Sequence, residues 1–148
     1  KGLTVALAES CTGGMAASML TSVPGSSDYV LLSAVTYANS AKSRVLGVNP
    51  EVIRARGAVS AEVVSEMAEG ARRISGASLA VSITGIAGPG GGSEEKPVGT
   101  VWFGIAMEGQ PTVTQQRNFP GERDQIRTLA AYTALRIMMR RALGQADD

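Results

Sequence analysis

An α/β fold of three layers, with helices on both faces of a mixed sheet of roughly five strands, is what this sequence predicts. Three observations carry that expectation. A continuous apolar run, Leu3-Thr4-Val5-Ala6-Leu7-Ala8, reads as a strand buried on both faces and passes through Gly13-Gly14 into a segment of helical period. Strand-like and helix-like segments then alternate along the chain. Near the end, Glu108-Gly109-Gln110-Pro111 is a turn short enough to join two antiparallel strands, which makes the sheet mixed.

After the first strand, Met15, Ala16, Met19 and Leu20 form an apolar stripe that ends at Pro24-Gly25. Tyr29 to Tyr37 reads as the second strand, and Ala38 to Leu46 as a helix closed by Gly47 and carrying Lys42. Asn49-Pro50-Glu51 has the cap, the first-turn proline and the acid of a helix start, with Gly57 as its stop. Ser60 caps a further helix, with Val63, Val64, Met67, Ala68 and Ala71 on one side, that runs to Gly76. Leu79 to Thr84, Val98 to Met107 and Thr112 to Phe119 read as the remaining strands. The last helix spans about Glu122 to Leu143, with Ile126, Leu129, Ala130, Thr133, Ile137 and Met138 facing inward, and Asp147-Asp148 is a polar end. No repeat or long linker divides the chain, so residues 1–148 are expected to be one domain.

The composition excludes several functional classes. A net charge of +1 and 4% aromatic residues argue against nucleic-acid binding. The apolar segments are too short for a bilayer span. With no histidine and a single cysteine, Cys11, neither a disulfide nor a soft metal site is expected, and a reducing cytoplasm is the plain reading. The first residue is Lys1 and no leader pattern follows, which predicts a fragment or a trimmed chain.

The absence of histidine sharpens the search for chemistry. Ser10 ends the first strand, where open α/β sheets place their ligand crevice, and Gly13-Gly14 would let backbone amides approach an oxyanion or phosphate. Ser10 or Thr12 could instead simply cap the following helix. Without imidazole, a serine nucleophile needs a different base. A desolvated lysine can serve, whereas arginine cannot. Only Lys1, Lys42 and Lys96 occur among the 14 basic residues, which makes Lys42 the first candidate. Cys11 is a rival nucleophile, since a thiol at a helix amino end is acidified, though without a histidine partner a small buried filler fits it better. The stretch Thr84-Gly85-Ile86-Ala87-Gly88-Pro89-Gly90-Gly91-Gly92 reads as a phosphate cradle or as a flexible loop. Arg123 and Arg127, at i and i+4, could grip a phosphate or lie idle on an exposed helix.

Taken together, Ala8-Glu9-Ser10-Cys11-Thr12-Gly13-Gly14, Tyr37-Ala38-Asn39-Ser40-Ala41-Lys42, Gly57-Ala58-Val59-Ser60, Thr84 to Pro89, Lys96-Pro97-Val98-Gly99-Thr100 and Gly121-Glu122-Arg123 resemble a known family. It is the C-terminal domain of the competence and damage-inducible CinA proteins, found also as stand-alone nicotinamide-nucleotide amidohydrolases. The blocks span nearly the whole chain in the family's order. The resemblance implies hydrolysis of the carboxamide of nicotinamide mononucleotide to nicotinate mononucleotide and ammonia, in pyridine nucleotide recycling. It implies Ser10 as nucleophile, Lys42 as general base and Tyr37 as an aid to proton transfer or orientation. It sets Thr12, Gly13, Gly14, Asn39, Thr84, Gly85, Gly88 and Arg123 at the substrate. No cofactor or metal is implied, and relatives suggest a homodimer. Two departures stand out: Gly90 follows Pro89 where relatives often carry an acid, and the family's helix ahead of the first strand is absent. A non-catalytic nucleotide-binding or regulatory module, serving competence or damage responses, is the alternative.

Overall fold

The computed structural model describes residues 2–145, so Lys1 and the polar end at Asp147-Asp148 lie outside the described residues. Five strands, β1 (Val5–Glu9), β2 (Val30–Val35), β3 (Leu79–Gly85), β4 (Thr100–Met107) and β5 (Val113–Asn118), form one sheet in the order β2-β1-β3-β4-β5. β1 runs parallel to both β2 and β3, while β4 is antiparallel to β3 and to β5. The mixed sheet of the sequence reading is therefore present.

Five helices cover it: α1 (Met15–Thr21), α2 (Asn39–Leu46), α3 (Pro50–Arg56), α4 (Ala61–Ser75) and α5 (Arg123–Ala142). α1 and α5 close one face over Leu7, Val81, Ile83, Phe103 and Ile105. α2, α3 and α4 close the other over Ala6, Ala8 and Ala80. These small residues let α4 sit close to the sheet, and Ser82 Oγ donates to the Val64 carbonyl of α4 at 2.5 Å. Gly70 brings α4 equally close to α2, because a Cβ there would overlap the Leu46 carbonyl oxygen. Lys42 is carried by the helix so positioned.

The connectivity locates the crevice. From β1 the chain crosses to β2 on one side, and from β2 it crosses back over β1 to β3 on the other, so the strand order reverses at β1. Open α/β sheets bind ligands outside the carboxyl ends of the strands at such a reversal, and Ser10 is the first residue beyond β1.

The elements differ from expectation at a few margins. β2 is shorter than Tyr29 to Tyr37. A 3-10 turn at Ser26–Asp28 uses the chain before it, and the carbonyls of Thr36 and Tyr37 beyond it turn to Lys42 Nζ. On α5, Leu129 does not face inward but is 39% exposed. The buried stripe runs Ile126, Ala130, Ala131, Ala134, Ile137 and Met138, and Ala131 and Ala134 carry it round the helix away from Leu129. Among the described residues no helix is long and apolar enough to cross a membrane.

Candidate active site

Side chains alternate along a strand, so Ser10 shares the face of Ala6 and Ala8, toward α2 and α4, and Glu9 shares that of Val5 and Leu7, toward α1 and α5. Adjacent residues thus serve opposite sides of the sheet.

On the α2 side, Lys42 reaches inward from the middle of its helix and is only 1% exposed. Its Nζ lies 3.0 Å from Ser10 Oγ and donates to the carbonyls of Thr36 at 2.8 Å and Tyr37 at 3.0 Å. A neutral amine has two N–H bonds and one lone pair. With both N–H bonds directed at the carbonyls, the lone pair is left for the Ser10 hydroxyl. Burial lowers the Lys42 pKa, and the nearby Cys11 opposes this without reversing it. Among the described residues no ion pair neutralises it.

On the other side, the Glu9 carboxylate is completely buried and collects four donors. Oε1 accepts from Thr12 Oγ1 at 2.6 Å, Gly14 N–H at 3.2 Å and Ala16 N–H at 3.0 Å, and Oε2 accepts from Ala17 N–H at 2.9 Å. This corrects two expectations. Neither Ser10 nor Thr12 caps α1; its N-cap residue is Gly14, at φ 101, and the capping acceptor is Glu9. The N–H groups of Gly13 and Gly14 are also taken within the turn, Gly14 N–H by Glu9 and Gly13 N–H by the Ser10 carbonyl, and Thr12 is fully buried on Glu9, while Gly13 itself is exposed. The positive end of α1 meets the Glu9 charge, so burial rather than that dipole is what lowers the Lys42 pKa. Glu9 went unnoticed in the sequence, although an acid closing an otherwise apolar buried strand just before a helix start was a readable signal.

Glu9→Gln tests this clamp. Both carboxylate oxygens face only donors, so an amide NH2 must confront one of them. Loss of a charge-assisted bond and the resulting clash should cost about 2–3 kcal/mol, lowering Tm by roughly 6–10 °C in a calorimetric scan. An unchanged Tm would show that the four contacts are not energetically significant.

The remaining predicted residues fall on the rim or in the scaffold. The Tyr37 side chain is 59% exposed. Its hydroxyl lies 3.3 Å from Arg123 Nη2, and it is the Tyr37 main-chain carbonyl that accepts from Lys42 Nζ. Asn39 is exposed at the start of α2. Thr84 is buried and donates to the Ala58 carbonyl at 3.0 Å, and Gly85 lies in the β3–β4 ladder, where a Cβ would meet the Thr100 carbonyl at 2.9 Å. Both are committed to the scaffold. Gly88, at φ 82, packs its Cα against Val98 and accepts from Arg123 Nη1 at 2.7 Å. The glycines of this loop at Gly85, Gly88 and Gly92 thus serve close packing.

Arg123 and Arg127 both project from the start of α5 toward the β1 crevice, Arg123 to Gly88 and Tyr37, Arg127 to the Cys11 and Thr12 carbonyls. Among the described residues no carboxylate pairs with either, so two positive charges border the nucleophile turn. Cys11 is 6% exposed, and burial pushes its thiol up to about 11, well away from an activated thiolate. Among the described residues no cluster of three metal-binding side chains exists.

Comparison with known proteins places these features in context. Residues 1–142 match the family model of the CinA C-terminal domain. A CinA-like protein of Geobacter sulfurreducens is 54% identical over 143 residues, which is 97% of this chain and 34% of that protein. One from Anaeromyxobacter dehalogenans is 54% identical over 138 residues, 93% of this chain and again 34% of the relative. The chain therefore spans about a third of the curated relatives it matches. Among solved structures, competence/damage inducible protein CihA from Agrobacterium tumefaciens superposes with a TM-score of 0.91 at 45% identity, covering 97% of this chain and 87% of that one. A CinA superfamily protein from Escherichia coli gives 0.89 at 35% identity, covering 94% and 80%.

Proposed function

The chain belongs to the CinA C-terminal domain family, and from that premise we propose that it hydrolyses the carboxamide of nicotinamide mononucleotide to nicotinate mononucleotide and ammonia. The observation that carries this reading is the 3.0 Å contact between a buried Lys42 Nζ and Ser10 Oγ, with both N–H bonds of the neutral amine taken by two carbonyls.

Neutral Lys42 accepts the Ser10 proton as Oγ attacks the carboxamide carbon, giving a tetrahedral oxyanion. The ammonium form of Lys42 returns that proton to the amide nitrogen, the C–N bond breaks, and ammonia leaves an acyl ester on Ser10. Water then adds to the ester with Lys42 again taking a proton, which Lys42 returns to Ser10 Oγ as the acyl C–O bond breaks and nicotinate mononucleotide is released. The charge of Arg123 at the crevice mouth suits the substrate phosphate, because its second guanidinium nitrogen holds only a long contact to an exposed phenol that an anion can replace.

Incubation of the protein with nicotinamide mononucleotide, with enzymatic ammonia measurement and chromatography of the product, tests the proposal. Equal amounts of ammonia and nicotinate mononucleotide are expected. Saturable binding without ammonia would make the chain a nucleotide-binding module instead.

A further inference from the structure

The Ser10–Lys42 pair has a third neighbour in Thr36. β1 and β2 pair as far as Glu9 and Val35, and one step further the Thr36 N–H still donates to the Glu9 carbonyl at 2.9 Å. Ser10 and Thr36 are therefore the next residues on adjacent parallel strands, which lie about 4.8 Å apart. Side chains alternate along β2: Leu31, Ser33 and Val35 are exposed, whereas Leu32 and Ala34 pack with Ala6 and Ala8 under α2 and α4. Thr36 continues the second series and is 1% exposed, which puts its side chain on the face that Ser10 shares with Lys42. Its carbonyl is the one that lies 2.8 Å from Lys42 Nζ.

Both main-chain groups of Thr36 are thus paired, but its hydroxyl is not: Oγ1 is buried and has no hydrogen-bond partner among the described residues. A hydroxyl stripped of water without replacement destabilises a fold, and valine would fill the same space without that cost. Such a group calls for a state of the site other than the resting one. Ser10 has the matching deficit. In the resting pair its O–H donates to the Lys42 lone pair, both N–H bonds of the amine are on carbonyls, and among the described residues no further donor lies on Oγ. Charge builds on Oγ as its proton leaves, and again as the acyl C–O bond breaks. We propose that Thr36 supplies the missing donor: its hydroxyl turns about χ1 onto Ser10 Oγ and stabilises that oxygen in both half-reactions, keeping its own proton throughout.

The inference rests on the acyl-transfer reading above. Thr36→Val removes the hydroxyl but keeps the shape of the side chain and the carbonyl that holds Lys42. Its kcat on nicotinamide mononucleotide should fall by about 10- to 100-fold, the loss of one hydrogen bond to a charged oxygen, with KM changed little. Its thermal melt should equal or exceed that of the wild type, since an unpaired buried hydroxyl has gone. Thr36→Ser keeps the hydroxyl and should retain most of the rate. The pH at which kcat/KM levels off should stay in place in both variants, because it belongs to Lys42 and both carbonyl contacts of that amine are intact.

The experiment measures ammonia release, its pH profile, the thermal melt, and the rate at which a fluorophosphonate labels Ser10. Labelling also requires Ser10 to attack as its proton leaves, and it should fall in parallel with kcat in Thr36→Val. Unchanged kcat and labelling there would overturn the inference and leave an idle hydroxyl. A lowered melt in Thr36→Val would overturn it in favour of a scaffold bond through a buried water. A displaced levelling-off would assign the hydroxyl to Lys42 instead, and Thr36→Ser as slow as Thr36→Val would assign the loss to packing. If the wild type labels at Ser10 but releases no ammonia from the mononucleotide, the functional reading fails, and the relative labelling rates still decide the inference. If it does neither, both fail. Should Thr36→Val not fold, Thr36→Ser is compared with Thr36→Ala, which differ only in the hydroxyl. Labelling at least about tenfold slower in the alanine variant is expected, and equal rates overturn the assignment.

Discussion

Ser10→Ala should abolish ammonia release while leaving the fold and mononucleotide binding intact. The hydroxyl makes one side-chain contact, to Lys42, and it carries no scaffold bond: the turn is held by Glu9, Arg127 and main-chain groups. Its removal takes away the only atom able to form the acyl ester and little else. A nucleophile that works as one unit with its base typically accounts for at least about 10⁴-fold in rate, or about 5.5 kcal/mol of transition-state stabilisation. Steady-state ammonia release and calorimetric titration of the mononucleotide measure the two halves of this prediction. Residual activity within about tenfold of wild type would move the role to another group, and Cys11 is poorly placed to take it. Its thiol lies on the α1 and α5 side, buried in the core, with a pKa raised to about 11.

The pairing of Ser10 with Lys42 was legible in the sequence because of what the sequence lacks. With no histidine and three lysines, few residues could accept a serine proton. The mixed sheet was legible too, since the apolar run at Leu3 to Ala8 and the closing hairpin are strong periodic signals. What holds the pair in register was not. Lys42 is seated by the carbonyls of Thr36 and Tyr37, and every residue has a carbonyl, so no side-chain pattern announces it. The same applies to Arg127, whose partners are carbonyls more than a hundred residues away in sequence. The double glycine misled in a specific way. It does open a tight turn, but the amides it exposes are claimed by Glu9 and by the Ser10 carbonyl rather than by a ligand. The glycine-rich loop was read on composition as a phosphate cradle or a flexible loop, whereas Gly85, Gly88 and Gly92 are small because Val98, Val101 and the backbone press against them.

Lys42→Arg should be as inactive as Lys42→Ala, by about a thousandfold or more, although arginine keeps the charge and the donors. A guanidinium does not give up its proton near neutral pH and so cannot receive one from Ser10. In the wild type the base form must be populated, so activity should rise with pH along a single limb as Lys42 deprotonates. Burial sets that limb below the free-lysine value of about 10.4. The stability of the fold carries the same signature. Between the lowered folded pKa and about 10.4, an unfolded lysine still binds a proton that the folded one has released, so stability rises with pH by up to about 1.4 kcal/mol per unit in that window. It levels off below the folded pKa and above the unfolded one. Subtracting the pH-dependent unfolding free energy of Lys42→Met isolates this contribution from every other group, and the lower edge of the window it defines should coincide with the pH at which kcat/KM levels off. Coincidence would tie both curves to one proton on one nitrogen. Retention of more than about a tenth of the rate by Lys42→Arg, a loss under about 1.4 kcal/mol, would instead make Lys42 an electrostatic anchor and leave Ser10 without its base.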